Sequence, residues 1–132
     1  VVRRLISSGG PWEASAGYSR AVVVGDACWV SGTTDAGLDG RSRHPGDAGA
    51  QARGALDVIG GALAEAGFTM ADVVRTRLYV TSMADHAGPV LAVYGEIFGA
   101  VRPAATIVEV GALIEPSLLV EIEVEARRAG DD

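Results

Sequence analysis

Residues Arg102 to Glu125 read RPAATIVEVGALIEPSLLVEIEVE, and no other stretch restricts the possible folds as tightly. It holds two β-branched runs, Ala104–Val110 and Leu118–Val124, joined by a loop in which Pro116 marks the approach to the second. In VEIEVE the period is two, so Glu121, Glu123 and Glu125 share one face while Val120, Ile122 and Val124 share the other. A chain ending in two such runs needs a sheet to put them in, with one face of that sheet buried.

The rest of the chain supplies partners. Val2–Ile6 reads as a short first strand, followed by a Ser/Gly/Pro loop through Pro11. Tyr18–Val24 and Ala27–Ser31 are β-rich runs separated by Gly25-Asp26, a hairpin signal of type II′. Thr33 to Gly46 is polar and carries Gly37, Gly40, Pro45 and Gly46, which marks a long loop. Asp47 caps a helix that Gly67 ends near Ala66, and Ala52, Leu56, Ile59 and Leu63 form its apolar stripe. Gly60-Gly61 weakens it by roughly 1 kcal/mol per glycine, which suggests close packing against a sheet. Val73–Thr81 is a strand. Ser82 or Asp85 starts a second helix, with Pro89 in its first turn, running to Phe98. The order β-ββ-α-β-α-ββ predicts an α+β fold in one domain, residues 1–132: a mixed sheet with two helices on one face.

Several strands are apolar on both faces: Val22, Val24, Val30, Leu78, Val80, Val108, Val110, Val120 and Ile122 exceed what two short helices can cover. Either the core is simply well filled or the uncovered face is a surface for self-association, and the second is the expectation adopted.

At 132 residues the chain is long enough to bury about two-thirds of its unfolded surface. No apolar run approaches the roughly 20 residues of a membrane helix, so no membrane partner is expected. The start lacks the long apolar region of a secretory signal. A lone cysteine, Cys28, excludes an internal disulfide and fits a reducing cytoplasm. The net charge is −6, and the eleven basic residues, all arginine, are scattered. A nucleic-acid partner needs a basic face, so none is expected. His44 and His86 lie in different loops with no second ligand at metal spacing, so neither metal nor cofactor is expected. Cys28 has no base nearby in sequence and reads as a small hydrophobe. Trp12 reads as a loop anchor or a cover for a pocket mouth, and no hydroxyl–His–Asp set is apparent.

Four segments in order resemble the Rid (YjgF, reactive-intermediate imine deaminase) family: Gly17–Thr34 (GYSRAVVVGDACWVSGTT), Ala50–Met83, Val93–Gly99 (VYGEIFG), and the C-terminal pair of runs. The resemblance covers nearly the whole chain. It implies a chorismate-mutase-like fold assembled as a homotrimer, with small-molecule clefts between subunits. The family's deaminases hydrolyse imines and enamines such as 2-aminoacrylate: an arginine grips the carboxylate and a glutamate holds the attacking water. Carried over, the family tyrosine falls on Tyr18, its Ser-Gly pair on Ser31 and Gly32, and its catalytic glutamate on Glu121. The departures are as informative. The arginine falls on Ala105, the glutamine after Ser-Gly on Thr33, and the helix asparagine on Leu91, with Ile107 two positions beyond Ala105. The implied subgroup therefore lacks the substrate-binding arginine, and Ala105 and Ile107 form an apolar wall opposite Glu121.

Glu121 is the candidate catalytic residue, since a partly buried carboxylate suits a general base or water holder. Tyr18, Ser31, Gly32, Thr33, Ala105 and Ile107 are candidate substrate contacts, each with a plain structural alternative. Arg77, mid-strand in RTRLYV, has two readings: a substitute for the missing arginine, or an ion pair with Glu121, Glu123 or Glu109. Two functions fit. One is an enzyme acting on an imine, enamine or related reactive intermediate, though not a standard 2-aminoacrylate deaminase. The other is a non-catalytic trimer that binds or senses a small molecule.

Overall fold

The computed structural model describes residues 2–10 and 12–129; Pro11, in the first loop, lies outside the described residues. Six strands, β1 (Arg3–Ile6), β2 (Ala21–Val24), β3 (Ala27–Thr33), β4 (Val73–Val80), β5 (Ala104–Glu109) and β6 (Val120–Arg127), form one sheet in the order β1-β2-β3-β6-β4-β5. Only β4 and β5 run parallel, joined by a helical crossover as parallel neighbours require. Helices α2 (Ala48–Ala66) and α3 (Met83–Phe98) cover one face. The mixed α+β sheet is as expected. A one-turn α1 (Glu13–Ala16) and a 3-10 turn at Met70–Asp72 were not legible in the apolar pattern. No helix among the described residues is long and apolar enough to cross a membrane.

Local chemistry explains most boundaries. Asp47 accepts a hydrogen bond from the Ala50 N–H (3.0 Å) and opens α2, and Gly67 closes it at φ +87°. Gly25 has φ +59° and Asp26 does not, as a II′ hairpin requires. Ser82, rather than Asp85, caps α3 by accepting from the Asp85 N–H (3.1 Å). Pro89 is consequently the seventh residue of α3 and not in its first turn. It is tolerated there on the exposed side of the helix.

The core lies between the helices and the alternate residues that face them. Val30, Leu78, Val80, Val120, Ile122 and Val124 are buried there beneath Leu56, Ile59 and Leu63 of α2 and Val90 and Phe98 of α3. Burying each large aliphatic contributes about 1.5–3 kcal/mol. Polar Thr76, fully buried, joins them and shares a hydrogen bond with the Tyr94 hydroxyl (2.8 Å). The close helix approach expected at Gly60-Gly61 is elsewhere. A Cβ on Gly61 would meet nothing within 4 Å, whereas one on Gly54 would lie 2.9 Å from the Asp35 Cβ.

The uncovered face is less apolar than expected. Its centre is a charged ladder in which Arg75, Arg77 and Tyr79 of β4 stand opposite Glu125, Glu123 and Glu121 of β6. Apolar side chains flank it: Leu5 and Trp29 toward one edge and Val108 at the other, all exposed.

Candidate functional site

The cleft starts from an irregularity in β3. Val30 pairs with Val124 and Thr33 with Ile122, so one extra residue is inserted on β3 between these pairs. Such a bulge interrupts strict alternation. Ser31 and Gly32 therefore both reach a cavity of about 340 Å³ that also takes Trp12, Tyr18, Arg20, Thr34, Ile114 and Glu121. Thr33 instead turns inward. It is fully buried and donates to the Ser31 carbonyl (2.7 Å), so Thr34 occupies the place expected of Thr33.

Glu121 sits half-buried at this cavity. A Cβ on Gly32 would fall 2.8–3.1 Å from the atoms of its carboxyl group, so only glycine leaves that group its position. Burial pushes the Glu121 carboxyl above the ordinary glutamate range; the Arg20 charge pulls it down and Glu123 pushes it up. Ser31 is fixed by its own hydroxyl, which donates to the Ser19 carbonyl (2.7 Å). Tyr18 is exposed at the rim, with the Arg20 guanidinium 5.8 Å from its ring centroid.

Arg20 was missed in the sequence reading. Only 8% exposed, it donates from Nη2 to the Gly32 carbonyl (2.7 Å), and its Nε has no hydrogen-bond partner among the described residues. The available signal was an arginine two residues after Tyr18, immediately before the apolar strand Ala21–Val24.

A second cavity of about 310 Å³ adjoins the first and shares Trp12, Tyr18, Arg20 and Thr34 with it. Its far wall is the 34–46 loop. There Asp35, 3% exposed, accepts from the Ser42 hydroxyl (2.8 Å) and lies 3.0 Å from His44 Nδ1. Hydroxyl, carboxylate and imidazole do meet, against the sequence reading. Ser42 Oγ is bonded to the aspartate and not to the imidazole, however, so this is no relay to a nucleophile. Gln51, fully buried in α2, ties the loop down. It donates to the carbonyls of His44 (3.1 Å) and Ser117 (2.9 Å) and accepts from the Leu119 N–H (2.8 Å). At the mouth the Trp12 ring lies against Gly40 (φ +82°), where a Cβ would approach it to 2.9 Å. Beside it, Glu13 fastens the first loop. Burial alone would raise its carboxyl, but hydrogen bonds from the Ser8 and Ser7 hydroxyls and the Gly10 and Ser8 N–H groups bring it below the usual range.

Three expected contacts stand elsewhere. Arg77 bonds Glu125 (3.1 Å) on the open face and lines neither cavity. Ala105 and Ile107 pair with Thr76 and Leu78, so they point to the helix side of the sheet, and Ile107 packs against the core. Glu121 pairs with Tyr79 and points to the other side. Within one chain, then, Ala105 and Ile107 are not the wall opposite Glu121.

A family model described as Endoribonuclease L-PSP matches residues 11–128. An uncharacterized protein of Streptomyces coelicolor is 38% identical over 133 aligned positions, covering 100% of this chain and 96% of that protein. The crystal structure of Rv2704 from Mycobacterium tuberculosis, a member of the YjgF/YER057c/UK114 family, aligns at TM-score 0.86 and 46% identity, covering 96% of this chain and 100% of that one. The YjgF gene product of E. coli aligns at TM-score 0.82 and 30% identity, covering 96% and 99%.

Proposed function

This chain belongs to the Endoribonuclease L-PSP family, which includes the YjgF and Rid proteins, and on that premise we propose that it hydrolyses an imine or enamine at the Glu121 cavity. The observation that carries this reading is Glu121 itself. It is half-buried, has its carboxyl raised by that burial, and is seated against a glycine that leaves room for nothing else. A carboxyl raised in this way accepts a proton more readily than an exposed glutamate, as a general base requires. Glu121 takes a proton from water as the water oxygen bonds to the imine carbon, and it returns that proton to the nitrogen, which receives the C=N electron pair. It then moves the carbinolamine hydroxyl proton to the amine; the C–N bond breaks with its electron pair on nitrogen, releasing ammonia as the C=O bond forms. Ser31, Gly32 and Tyr18 frame the reacting group. RNA cleavage is not part of this reading, because a net charge of −6 gives phosphates no basic face.

The working form in this proposal is a homotrimer in the cytoplasm. Ala105 and Glu121 lie on opposite sides of one sheet, so a pocket containing both needs a second copy. The exposed Leu5, Trp29 and Val108 give that copy apolar surface to cover. A monomer by light scattering would sink the shared pocket.

The activity test uses short-lived imines generated in place by an amino-acid oxidase, with ammonia release followed against time. The wild type should accelerate release, and Glu121→Ala should lower that acceleration by about 10²–10⁴-fold. If the wild type accelerates nothing but binds a small molecule saturably, the chain is a binding protein on the same fold. Ala105→Arg should add turnover of short carboxylated imines, because a bidentate guanidinium–carboxylate contact is what alanine cannot supply.

A further inference from the structure

The 310 Å³ cavity at the far end of the cleft has no part in the chemistry above, yet its lining is not that of an idle surface. In a chain of net charge −6 it gathers Arg20, Arg43 and His44. Arg20 is more than nine-tenths buried and spends Nη2 on Gly32, leaving Nε without a partner among the described residues. Arg43 folds back over Gly37, its Nε 3.6 Å from where a Cβ would stand. His44 is held through Nδ1 by a carboxylate that is itself buried and bonded to Ser42. That bond directs the ring's second nitrogen away from Asp35. The opposing charges are Asp35, whose Oδ2 takes both of these partners while its Oδ1 is buried without one among the described residues, and Asp57, on the exposed side of α2.

We propose that this end of the cleft is an anion subsite: it binds a carboxylate or phosphate carried by the substrate at a distance from its reacting carbon. The proposal rests on the reading of Glu121 as the reacting end. The two cavities share Trp12, Tyr18, Arg20 and Thr34, so one elongated molecule can lie in both. The substrate is thus an imine or enamine whose acidic group is remote, and this explains why Ala105 is tolerated. The charge is met by Arg20 and His44 rather than by an arginine on β5.

Binding tests the subsite without turnover. Calorimetric titration compares 2-oxobutyrate, which has no remote anion, with 2-oxoglutarate, which has one, and with inorganic phosphate. 2-Oxoglutarate should bind the wild type about tenfold or more tightly than 2-oxobutyrate, the scale of one charge-assisted contact. Arg20→Gln and His44→Gln should each erase most of that preference, while Arg20→Lys keeps part of it. His44→Gln lies on an exposed side chain and keeps the test open if Arg20→Gln does not fold. Phosphate that competes with 2-oxoglutarate in the wild type but not in His44→Gln would support the subsite and point to a phosphorylated substrate. Equal affinities for the two oxo acids, or a preference that survives both glutamine variants, would overturn it. Imine turnover lost in Glu121→Ala with no anion preference in the wild type would refute the subsite alone. Preference without turnover would refute the hydrolase alone.

Discussion

The two faces of the sheet are built from the same strands by opposite rules. Along β6, Val120, Ile122, Val124 and Ala126 are buried beneath the helices, while Glu121, Glu123 and Glu125 between them are half-exposed. The helix face is held by shape and exclusion of water, so each position there is nearly irreplaceable. The open face is held by partnerships: Tyr79 donates to Glu123, Arg77 to Glu125 and Arg75 to Thr106. Such partnerships can be exchanged at little cost, and a face like that is free to evolve a site.

The sharpest way to break this contrast is a pair of neighbours on one strand. Ile122→Ala should cost about 3–4 kcal/mol in chemical denaturation, because the void left beneath α2 cannot collapse. Glu123→Ala, one residue on, should cost about 0.5 kcal/mol or less. Equal losses would mean that the open face is as structural as the covered one. Gln51→Leu comes next. It keeps α2 packed but strips partners from the His44 and Ser117 carbonyls and the Leu119 N–H. With three backbone groups left wanting, a loss of about 3 kcal/mol is expected. Hydrogen exchange should rise in the 34–46 loop and around Leu119 more than in the sheet.

The same contrast explains what could be read from the letters. Alternation in VEIEVE and the stripe Ala52, Leu56, Ile59, Leu63 are periodic, and periodicity reports a buried face directly, so strands, helices and core were legible. Glu121 was placed by a motif and stands in the cavity. The remainder of the cleft depends on events without a period. The extra residue in β3 turns Thr33 inward and hands its place to Thr34, which no alternation count foresees. Arg20 reads as an ordinary strand-edge cation until the fold buries it. Asp35 and His44 meet only because Gln51 and Gly54 draw the 34–46 loop onto α2. Ala105 was assigned to Glu121's wall by resemblance, whereas the parallel register of β4 with β5 sends it to the other side.

Smaller effects separate a site from a surface within the open face. Burial raises the Glu121 carboxyl in the folded chain, so the folded state holds its proton more tightly than the unfolded state does. Stability is then lost as pH rises from the ordinary glutamate range through the raised value. Glu121→Gln should accordingly raise the Tm at neutral pH. The gain should vanish at a pH low enough to protonate the carboxyl in both states. A gain independent of pH would show that Glu121 pays no burial penalty and would weaken its case as an acid–base group.

Arg77 and Glu125 should behave oppositely. Their side chains are 39% and 38% exposed in the single chain, so wherever water reaches the pair a double-mutant cycle to Met and Gln should return a coupling of about 0.5 kcal/mol that shrinks in salt. A coupling several times larger and insensitive to salt is the outcome expected if the second copy proposed above covers this pair as well as Leu5, Trp29 and Val108. The small coupling would place the pair outside that interface, and the contrast between the two faces would then hold in the assembly as it does in the single chain.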